Sequence, residues 1–195
     1  MTRATRKRVP RAEREPLMLD AAERVFSDVG FHAASMDAIA AEAGISKPML
    51  YNYFGSKQGI YLAYLSRAGR DLLNRMLAAD VPGGTLPERL AAGAGAFFGF
   101  VGENHDGWRV LREEMVGQRE EVGGQVAGMR SAIHALLSEV LLEEGGDPSR
   151  VDAYAHALTG AGESLADWWL EHPDTPVEVL VDTLVDMAGA AAPPR

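Results

Sequence analysis

Apolar residues recur along this chain at the period of an α-helix, and this spacing constrains the fold more than any other feature. In residues 17–29, apolar side chains follow one another at steps of one, three and four positions, and residues 122–141 and 177–188 repeat the pattern. Such steps place apolar side chains on one face of a helix, whereas a half-buried strand would alternate between apolar and polar residues. The sequence therefore predicts an all-α fold of about nine helices with no convincing strand.

Serine and glycine residues mark the ends of these segments. Ser35, Ser46 and Ser56 each precede a helical segment and are typical N-caps, while Gly30 and Gly44 follow segments and are typical stops. The Asp-Val-Pro-Gly-Gly stretch at 80–84 is the clearest linker. Similar signals predict further helices over residues 56–77, 85–103, 108–116, 122–141, 147–171 and 176–190.

Composition excludes several classes of protein. The chain has no cysteine, which excludes disulfides, thiolate metal sites and cysteine nucleophiles. No apolar stretch reaches the roughly 18 residues of a membrane span, and no apolar segment follows the basic N-terminus as it would in a signal peptide. We therefore expect a cytoplasmic protein.

Charge is distributed unevenly over the chain. The net charge is −9, yet residues 1–14 carry six Lys or Arg and a single Glu. Such a basic arm on an acidic chain indicates an end that binds a polyanion, where it would follow phosphates or enter the minor groove of DNA. A solvated tail without a partner is an equally good interpretation of the arm alone.

Two short predicted helices meet at residues 43–46, and the second of them carries the residues best suited to chemistry. The connection holds a Gly that can adopt a left-handed conformation, an apolar residue and a Ser N-cap, as in a helix-turn-helix. An ordinary helical corner would look similar. In the second helix Leu50 and Phe54 can pack inward, which leaves Lys47 and Tyr51 facing outward.

The outward-facing side chains of this helix could contact the bases and phosphates of DNA. Lys47 could reach a base edge or a phosphate, Met49 and the Tyr51 ring could touch a thymine methyl, and hydroxyl groups could bond phosphates. Backbone amides at the following helix N-terminus favour an anion. The candidate DNA-contacting residues are Ser35, Ser46, Lys47, Pro48, Met49, Tyr51, Asn52, Tyr53 and Lys57.

Residues 35–57 closely resemble the DNA-binding signature of TetR-family regulators. The family pattern is approximately Thr-x-x-x-Ile-Ala-x-x-Ala-Gly-Val-Ser-x-x-x-Leu-Tyr-x-Tyr-Phe-x-x-Lys, and the match extends over about residues 14–62. Departures are small: Ser35 replaces the usual Thr, Ile45 replaces Val, and Gly59 stands where an acidic residue is common. The Gly59 departure is expected to affect only the stability of that helix start. The segment 165–170 resembles an actinobacterial branch of the family.

The resemblance implies an all-α homodimer with two domains. Residues 1–58 would hold the basic arm and the DNA-binding unit, a connecting helix at 56–77 would follow, and residues 80–195 would bind an effector and dimerise. In the family the last two helices form the dimer interface, here about 147–171 and 176–190. The candidate interface residues are Leu158, Leu165, Trp168, Trp169, Val177, Leu180, Val181 and Leu184.

Family members often bind a small molecule between the helices of the C-terminal domain. The residues that could line such a pocket are Phe97, Phe98, Trp108, Met115, Met129, His134 and Tyr154. For each of them, ordinary core packing is the competing interpretation. Gly93 and three further glycines in the same predicted helix indicate either close helix packing or room for a ligand.

The sequence contains little that supports catalytic activity. The chain has no His-Glu-x-x-His motif and no phosphate-binding glycine loop after a strand, and its five histidines lack metal-ligand spacing. We expect no catalytic residues, no cofactor and no metal. The sequence predicts a homodimeric DNA-binding transcriptional regulator, a repressor released from a palindromic operator by a small-molecule effector. The alternatives are a small all-α enzyme and a helical dimer that mediates protein contacts only.

Overall fold

The computed structural model describes residues 11–104, residue 108 and residues 120–191. The described part is all-helical and contains no strand, which confirms the predicted fold class. Its eight helices are α1 (Arg11–Ala33), α2 (Met36–Glu42), α3 (Lys47–Phe54), α4 (Lys57–Ala79), α5 (Leu86–Glu103), α6 (Glu120–Glu143), α7 (Val151–Glu171) and α8 (Val177–Ala191).

Gly30 interrupts the first helix as predicted, because its φ of +73° and ψ of 169° are not helical; the range of α1 to Ala33 includes a short turn beyond this kink. The short helix predicted at 108–116 lies outside the described residues except for Trp108, and the arm at residues 1–10 lies outside them as well. No helix in the described ranges is both long enough and apolar enough to cross a membrane.

The chain divides into two compact units, residues 1–66 and residues 67–195. The boundary falls inside α4, so this one continuous helix begins in the first unit and ends in the second. The DNA-binding signature lies entirely in the first unit, and the candidate effector and interface residues lie entirely in the second.

An aromatic cluster holds the first unit together. Phe26 of α1 and Tyr61 of α4 are almost completely buried, and their rings meet edge to face with centroids 5.0 Å apart. Phe31 stacks on Phe26 and lies 4.6 Å from the Tyr61 centroid. Aromatic pairs of this kind add about 0.5–1.5 kcal/mol each beyond the area that they bury. The cluster fixes α1 against the start of α4, and α2 packs on α1.

In the second unit α5 packs against α8 and α6 packs against α7. The buried apolar residues of α5 are Ala94, Phe97, Phe98, Phe100 and Val101. The start of α5 is fixed by a capping box, in which the Thr85 backbone N–H donates to Glu88 Oε2 at 2.7 Å. These four helices and the last turns of α4 surround a cavity.

Candidate nucleic-acid interface and effector cavity

The turn between α2 and α3 has the backbone geometry of a Schellman motif. Ile45 N–H donates to the Ala40 carbonyl at 3.0 Å, and Gly44 N–H donates to the Ala41 carbonyl at 3.1 Å. Gly44 has φ +65°, a left-handed conformation that side chains with a Cβ adopt only at a cost of about 1–2 kcal/mol. This glycine sets the angle at which α3 leaves α2.

The α3 helix presents one polar and aromatic face to solvent. Leu50 is fully buried, whereas Lys47 and Asn52 are exposed and the Tyr51 side chain is 44% exposed. The remaining candidates on α3 lie at the edges of this face: Ser46 and Pro48 exposed, Met49 and Tyr53 half-buried. An exposed tyrosine on an eight-residue helix is a typical contact residue of a binding surface.

An ion pair joins α3 to α2. The Lys47 ammonium donates to Asp37 Oδ2 at 2.7 Å, and both side chains remain exposed. This hydrogen bond raises the pKa of Lys47 above its ordinary value. Exposed pairs contribute little to stability, which leaves Lys47 free to exchange Asp37 for a phosphate at small cost.

The two candidate serines differ in their capping role. Ser35 Oγ accepts a hydrogen bond from the Ala38 N–H at 3.1 Å, so its O–H remains a donor that can point outward. Ser46 makes no side-chain cap and begins α3 only through its carbonyl, which accepts from the Met49 N–H at 2.9 Å. Both hydroxyl groups are exposed.

The structure revises the role predicted for Lys57. Its ammonium donates to the carbonyl oxygens of Phe31 at 2.8 Å, His32 at 3.1 Å and Ala34 at 3.0 Å. An ammonium has three N–H donors, and here all three are occupied. The Lys57 side chain therefore caps the end of α1 and does not point to a DNA contact; only its backbone amide lies at the α4 N-terminus.

Gly59 also has a stronger role than the sequence indicated. A Cβ atom at this position would lie 2.0 Å from the Phe54 carbonyl oxygen, which no side chain could tolerate without a backbone shift. The Gly59 N–H donates to Ser56 Oγ at 2.9 Å and thereby tightens the turn. Glycine at 59 lets α4 start directly against the end of α3.

A cavity lies within the second unit, between α4, α5, α6, α7 and α8. The cavity is partly open to solvent. Its lining is dominated by apolar side chains, among them Leu72, Met76, Phe97, Met129, Ile133 and Leu137. Sites for small apolar ligands have this character.

The sequence-based pocket candidates divide into three groups. Phe97, Trp108 and Met129 line the cavity. Phe98, His134 and Tyr154 do not: Phe98 is buried against Trp169, and the His134 ring packs on His156. Tyr154 packs against Arg150. Met115 lies outside the described residues.

Sequence reasoning missed most of the lining. Small residues at Gly93, Ala94 and Gly162 provide space that larger side chains would fill. A Cβ at Gly93 would come no closer than 4.0 Å to Met76 Cε, and one at Gly162 would lie 3.7 Å from Phe97 Cε1. Of the four α5 glycines that indicated either close packing or room for a ligand, Gly93 lines the cavity.

Arg89 closes one end of the cavity. Its Nε and Nη2 donate to the two Asp80 carboxylate oxygens at 2.9 Å each, and Nη1 donates to Glu143 Oε2 at 2.7 Å. The pair with Arg89 lowers the pKa of Asp80. The guanidinium thus joins the ends of α4 and α6 to the first turns of α5.

A second charged pair lies on the cavity wall farther along α6. Arg130 Nε lies 2.8 Å from Glu163 Oε1, and the Glu163 side chain is only 10% exposed. The Arg130 Nε–H is nevertheless buried without an aligned hydrogen-bond acceptor. This pair is therefore less well bonded than the Arg89 pair.

His134 lies one turn beyond Arg130 on α6. Its ring centroid is 3.9 Å from that of His156 on α7, and its Nε2 is buried without a hydrogen-bond partner in the described part. Burial lowers the pKa of His134, and the neighbouring His156 and Arg130 lower it further. Burial in the folded protein therefore favours the neutral form of this imidazole.

We expect the free energy of unfolding to decrease as the pH falls through about 6.5, because His134 takes up a proton more readily in the unfolded chain. The stabilisation is present above the unfolded pKa and is lost below it. Urea unfolding of wild type and His134→Gln at about pH 7.5 and about pH 5.5 measures this difference. The variant is expected to lose less stability on acidification, and His32→Gln serves as an exposed control. Equal losses in wild type and His134→Gln would contradict the assignment.

Four of the eight predicted dimer-interface residues make contacts within their own subunit. Leu158 and Leu184 line the internal cavity, and Leu180 is 1% exposed. Trp169 packs over Gly102 and Phe98 and donates its indole N–H to the Thr175 carbonyl at 2.9 Å. These four side chains are used within the subunit because their stripe on α7 and α8 faces the subunit's own helices.

A different face of α7 and α8 is exposed and apolar. Trp168 is 43% exposed, Val179 48% and Met187 50%. A shallow groove on this face is lined by Ser164, Leu165, Trp168, Val179, Leu180 and Thr183. The remaining candidates, Val177 and Val181, are half-buried. We call this surface, formed by Leu165, Trp168, Val179, Thr183 and Met187, the α7–α8 face.

Two family models match the chain. One, described as bacterial regulatory proteins of the tetR family, matches residues 18–64. The other, described as a tetracyclin repressor-like C-terminal domain, matches residues 86–191 and so spans more than half of the chain. The chain belongs to the TetR family. The resemblance carried by residues 35–57 is thereby confirmed, and this TetR-family chain is a DNA-binding transcriptional regulator, as predicted.

Named relatives of this TetR-family regulator agree with the assignment. The transcriptional activator FasR of Mycolicibacterium smegmatis is 34% identical over 88% of this chain and 78% of its own length. A TetR-like regulator structure from Rhodococcus sp. RHA1 is 40% identical, with a TM-score of 0.75 over 93% of this chain and 96% of that one. FadR of Bacillus subtilis, solved in complex with stearoyl-CoA, is 19% identical and shares the fold, with a TM-score of 0.78 over 89% of this chain and 96% of that one.

Proposed function

We propose that this regulator binds a palindromic operator as a homodimer and leaves it when an apolar small molecule fills the cavity. The observation that carries the DNA-binding part is the solvent-facing side of α3, on which Lys47, Tyr51 and Asn52 stand beside the buried anchor Leu50. A helix of this size fits the major groove of B-DNA. Two-fold symmetry of the protein requires two half-sites about 34–36 Å apart or a multiple of that distance.

Each exposed group on this surface has a role that suits its chemistry. Tyr51 and Met49 would contact base methyl groups, and Asn52 would read or position a base. Lys47 would exchange Asp37 for a phosphate, and the Ser35, Ser46 and Tyr53 hydroxyl groups would donate to phosphates. Pro48, whose fixed φ suits the first turn of a helix, would shape the approach of α3 to the groove.

The α7–α8 face would join the two copies. Its aromatic and aliphatic side chains are exposed together, as expected of a surface that another protein covers. Trp168 is its largest side chain, and it stacks on His172 with ring centroids 4.2 Å apart. Tryptophan held in a fixed orientation is typical of an interface anchor.

The cavity would receive a long acyl chain. Its length follows α6 from Met129 to Val140, a rise of roughly 16 Å along the helix axis. FadR, which shares the fold, is solved with stearoyl-CoA, and the apolar lining found here suits a chain of that kind. Leu72 and Met76 of α4 contribute to this lining, so ligand binding would act on the helix that continues into the first unit.

Release from DNA needs only a difference in ligand affinity between two states of the dimer. A preference of about 1–3 kcal/mol changes operator affinity roughly 5- to 150-fold. FasR is named an activator, and a dimer represses or activates according to where its operator lies relative to the promoter. We retain the sequence-based prediction of a repressor as part of this proposal.

Gly93→Leu tests the ligand part of the proposal. The new side chain would extend from α5 into the cavity toward Met76, so affinity for stearoyl-CoA is expected to fall by roughly tenfold or more as the acyl chain loses its space. Isothermal titration calorimetry measures the affinity, and operator release by stearoyl-CoA should weaken in parallel.

Gly95→Leu provides the matched control for that variant. Gly95 lies in the same helix, has open space around its Cβ position and does not line the cavity. The Gly95→Leu variant should bind stearoyl-CoA with the affinity of the wild type. Equal affinity of Gly93→Leu and wild type would place the acyl chain elsewhere.

A further inference from the structure

The cavity has two charged pairs, and they differ in exposure and in bonding. The Arg89 side chain is 7% exposed, whereas the Arg130 side chain is 39% exposed. Arg130 and Glu143, the α6 partner of Arg89, are 13 residues apart on α6, which corresponds to roughly 20 Å along the axis. We call the Arg89 side of the cavity, where the guanidinium is buried, its closed end; on the other side the Arg130 side chain is partly exposed.

The closed end is unfavourable for binding an anion. Arg89 already donates three hydrogen bonds to Asp80 and Glu143, and Glu144 Oε1 lies 3.6 Å from its Nη1. One cation is thus surrounded by three carboxylates, and the cluster carries excess negative charge. A carboxylate or phosphate brought here would be repelled and would have to break a bidentate pair.

The Arg130 side has the opposite properties. Its guanidinium has one carboxylate partner in the described part, Glu163, and its buried Nε–H has no aligned acceptor. A guanidinium presents five N–H donors in a fixed fork that suits carboxylate and phosphate oxygens. Partial exposure lets the rest of a charged head group stay in water, so no charge is buried without a partner.

We propose that an anionic amphipathic ligand binds in one direction only, with its head group on Arg130 and its methyl end toward the Arg89 closure. This inference rests on the proposed acyl effector and adds its head-group chemistry and its orientation. Arg130 is then a specificity-determining residue that distinguishes acids from neutral lipids. Two kinds of ligand have an anionic group on a long chain: a free acid has its carboxylate, and an acyl-CoA has its phosphates.

The test compares stearate, stearoyl-CoA and octadecan-1-ol on the full-length dimer by displacement of a fluorescent fatty-acid analogue. In Arg130→Gln we expect affinity for the favoured anion to fall roughly tenfold or more, while affinity for the alcohol changes less than about threefold. Arg130→Lys should recover part of the loss. Arg75→Gln removes a half-exposed arginine whose partners are Asp71 and Glu103 and which does not line the cavity, and it should bind all three as wild type does.

A comparison of stearate with stearoyl-CoA shows which anionic head group Arg130 binds. A loss confined to stearate identifies a carboxylate at Arg130, and a loss confined to stearoyl-CoA identifies a phosphate; both support the proposal. An Arg130→Gln variant that binds anions and alcohol with unchanged affinity, or loses both equally, would overturn it. Wild type that binds none of the three would overturn the proposed effector itself, and with it this inference.

Chain length gives a second measurement that does not depend on the Arg130 variants. Gly93 lies one turn from Arg89, near the closed end. If a carboxylate binds at Arg130, Gly93→Leu should weaken stearate at least about fivefold more than octanoate, because only the longer chain reaches position 93. Equal losses for both chain lengths would contradict the orientation.

Discussion

Replacing Tyr51 with alanine is expected to lower operator affinity by about thirtyfold to a thousandfold, the largest effect of any single substitution on the DNA-binding surface. Each half-site loses a ring contact and a hydroxyl donor worth about 1–2 kcal/mol, and the dimer loses both copies. The side chain is 44% exposed and its neighbour Leu50 keeps α3 anchored, so the fold should remain intact. Fluorescence anisotropy with a labelled operator measures the affinity.

Two further variants make the Tyr51 experiment specific. Tyr51→Phe keeps the ring and should retain most of the affinity if base methyl contact dominates, whereas a loss as large as that of alanine would assign the effect to the hydroxyl. Val29→Ala removes an exposed apolar side chain of α1 outside the helix-turn-helix and should have no effect. Full affinity in a folded Tyr51→Ala protein would remove this residue from the interface.

Replacing Trp168 with glutamate is expected to convert the dimer to monomers at micromolar concentration. The change removes an aromatic anchor from the α7–α8 face and places a carboxylate opposite its symmetry mate, and each buried charge without a partner costs several kcal/mol. Because the operator needs two recognition helices, DNA binding should be lost together with the dimer. Analytical ultracentrifugation measures the mass directly.

Leu142→Glu is the matched control for that experiment. Leu142 is 47% exposed on α6 and does not belong to the α7–α8 face, so the same change of charge should leave the dimer intact. If Trp168→Glu sediments as a dimer while remaining folded, the subunits meet through another surface.

The helix-turn-helix could be predicted closely because its determinants are local. Gly44 and the Ser35 N-cap act within a few residues of their own position, so their roles are readable from the sequence, and the structure places both as expected. The burial of Leu50 also follows from its spacing along a single short helix. Nothing distant in the chain is needed to form this motif.

The interface residues illustrate what apolar spacing leaves undetermined. A stripe such as Leu180 and Leu184 shows that two residues share a helix face, but not which neighbour covers that face. In the structure α5 packs against α8, Leu180 is buried within the subunit, and Leu184 borders the internal cavity. The exposed face is marked instead by Val179 and Met187, which the stripe did not include.

Long-range contacts account for the other differences. Lys57 caps carbonyl groups 23 to 26 residues away, and Arg89 joins Glu143 across 54 positions. Pairings at such separations depend on how helices pack, which single-sequence periodicity does not encode. The small residues that make the cavity, such as Gly162, are recognisable only when their neighbours are known.

Selection of bound sequences from random duplex DNA by the full-length protein tests the central claim, sequence-specific binding by a symmetric dimer, most directly. We expect enrichment of an inverted repeat whose half-sites are about 34–36 Å apart or a multiple of that. The enriched sequence should be depleted when Tyr51→Ala is used in place of wild type. Absence of an inverted repeat at low salt, from protein shown to be folded and dimeric, would contradict the account.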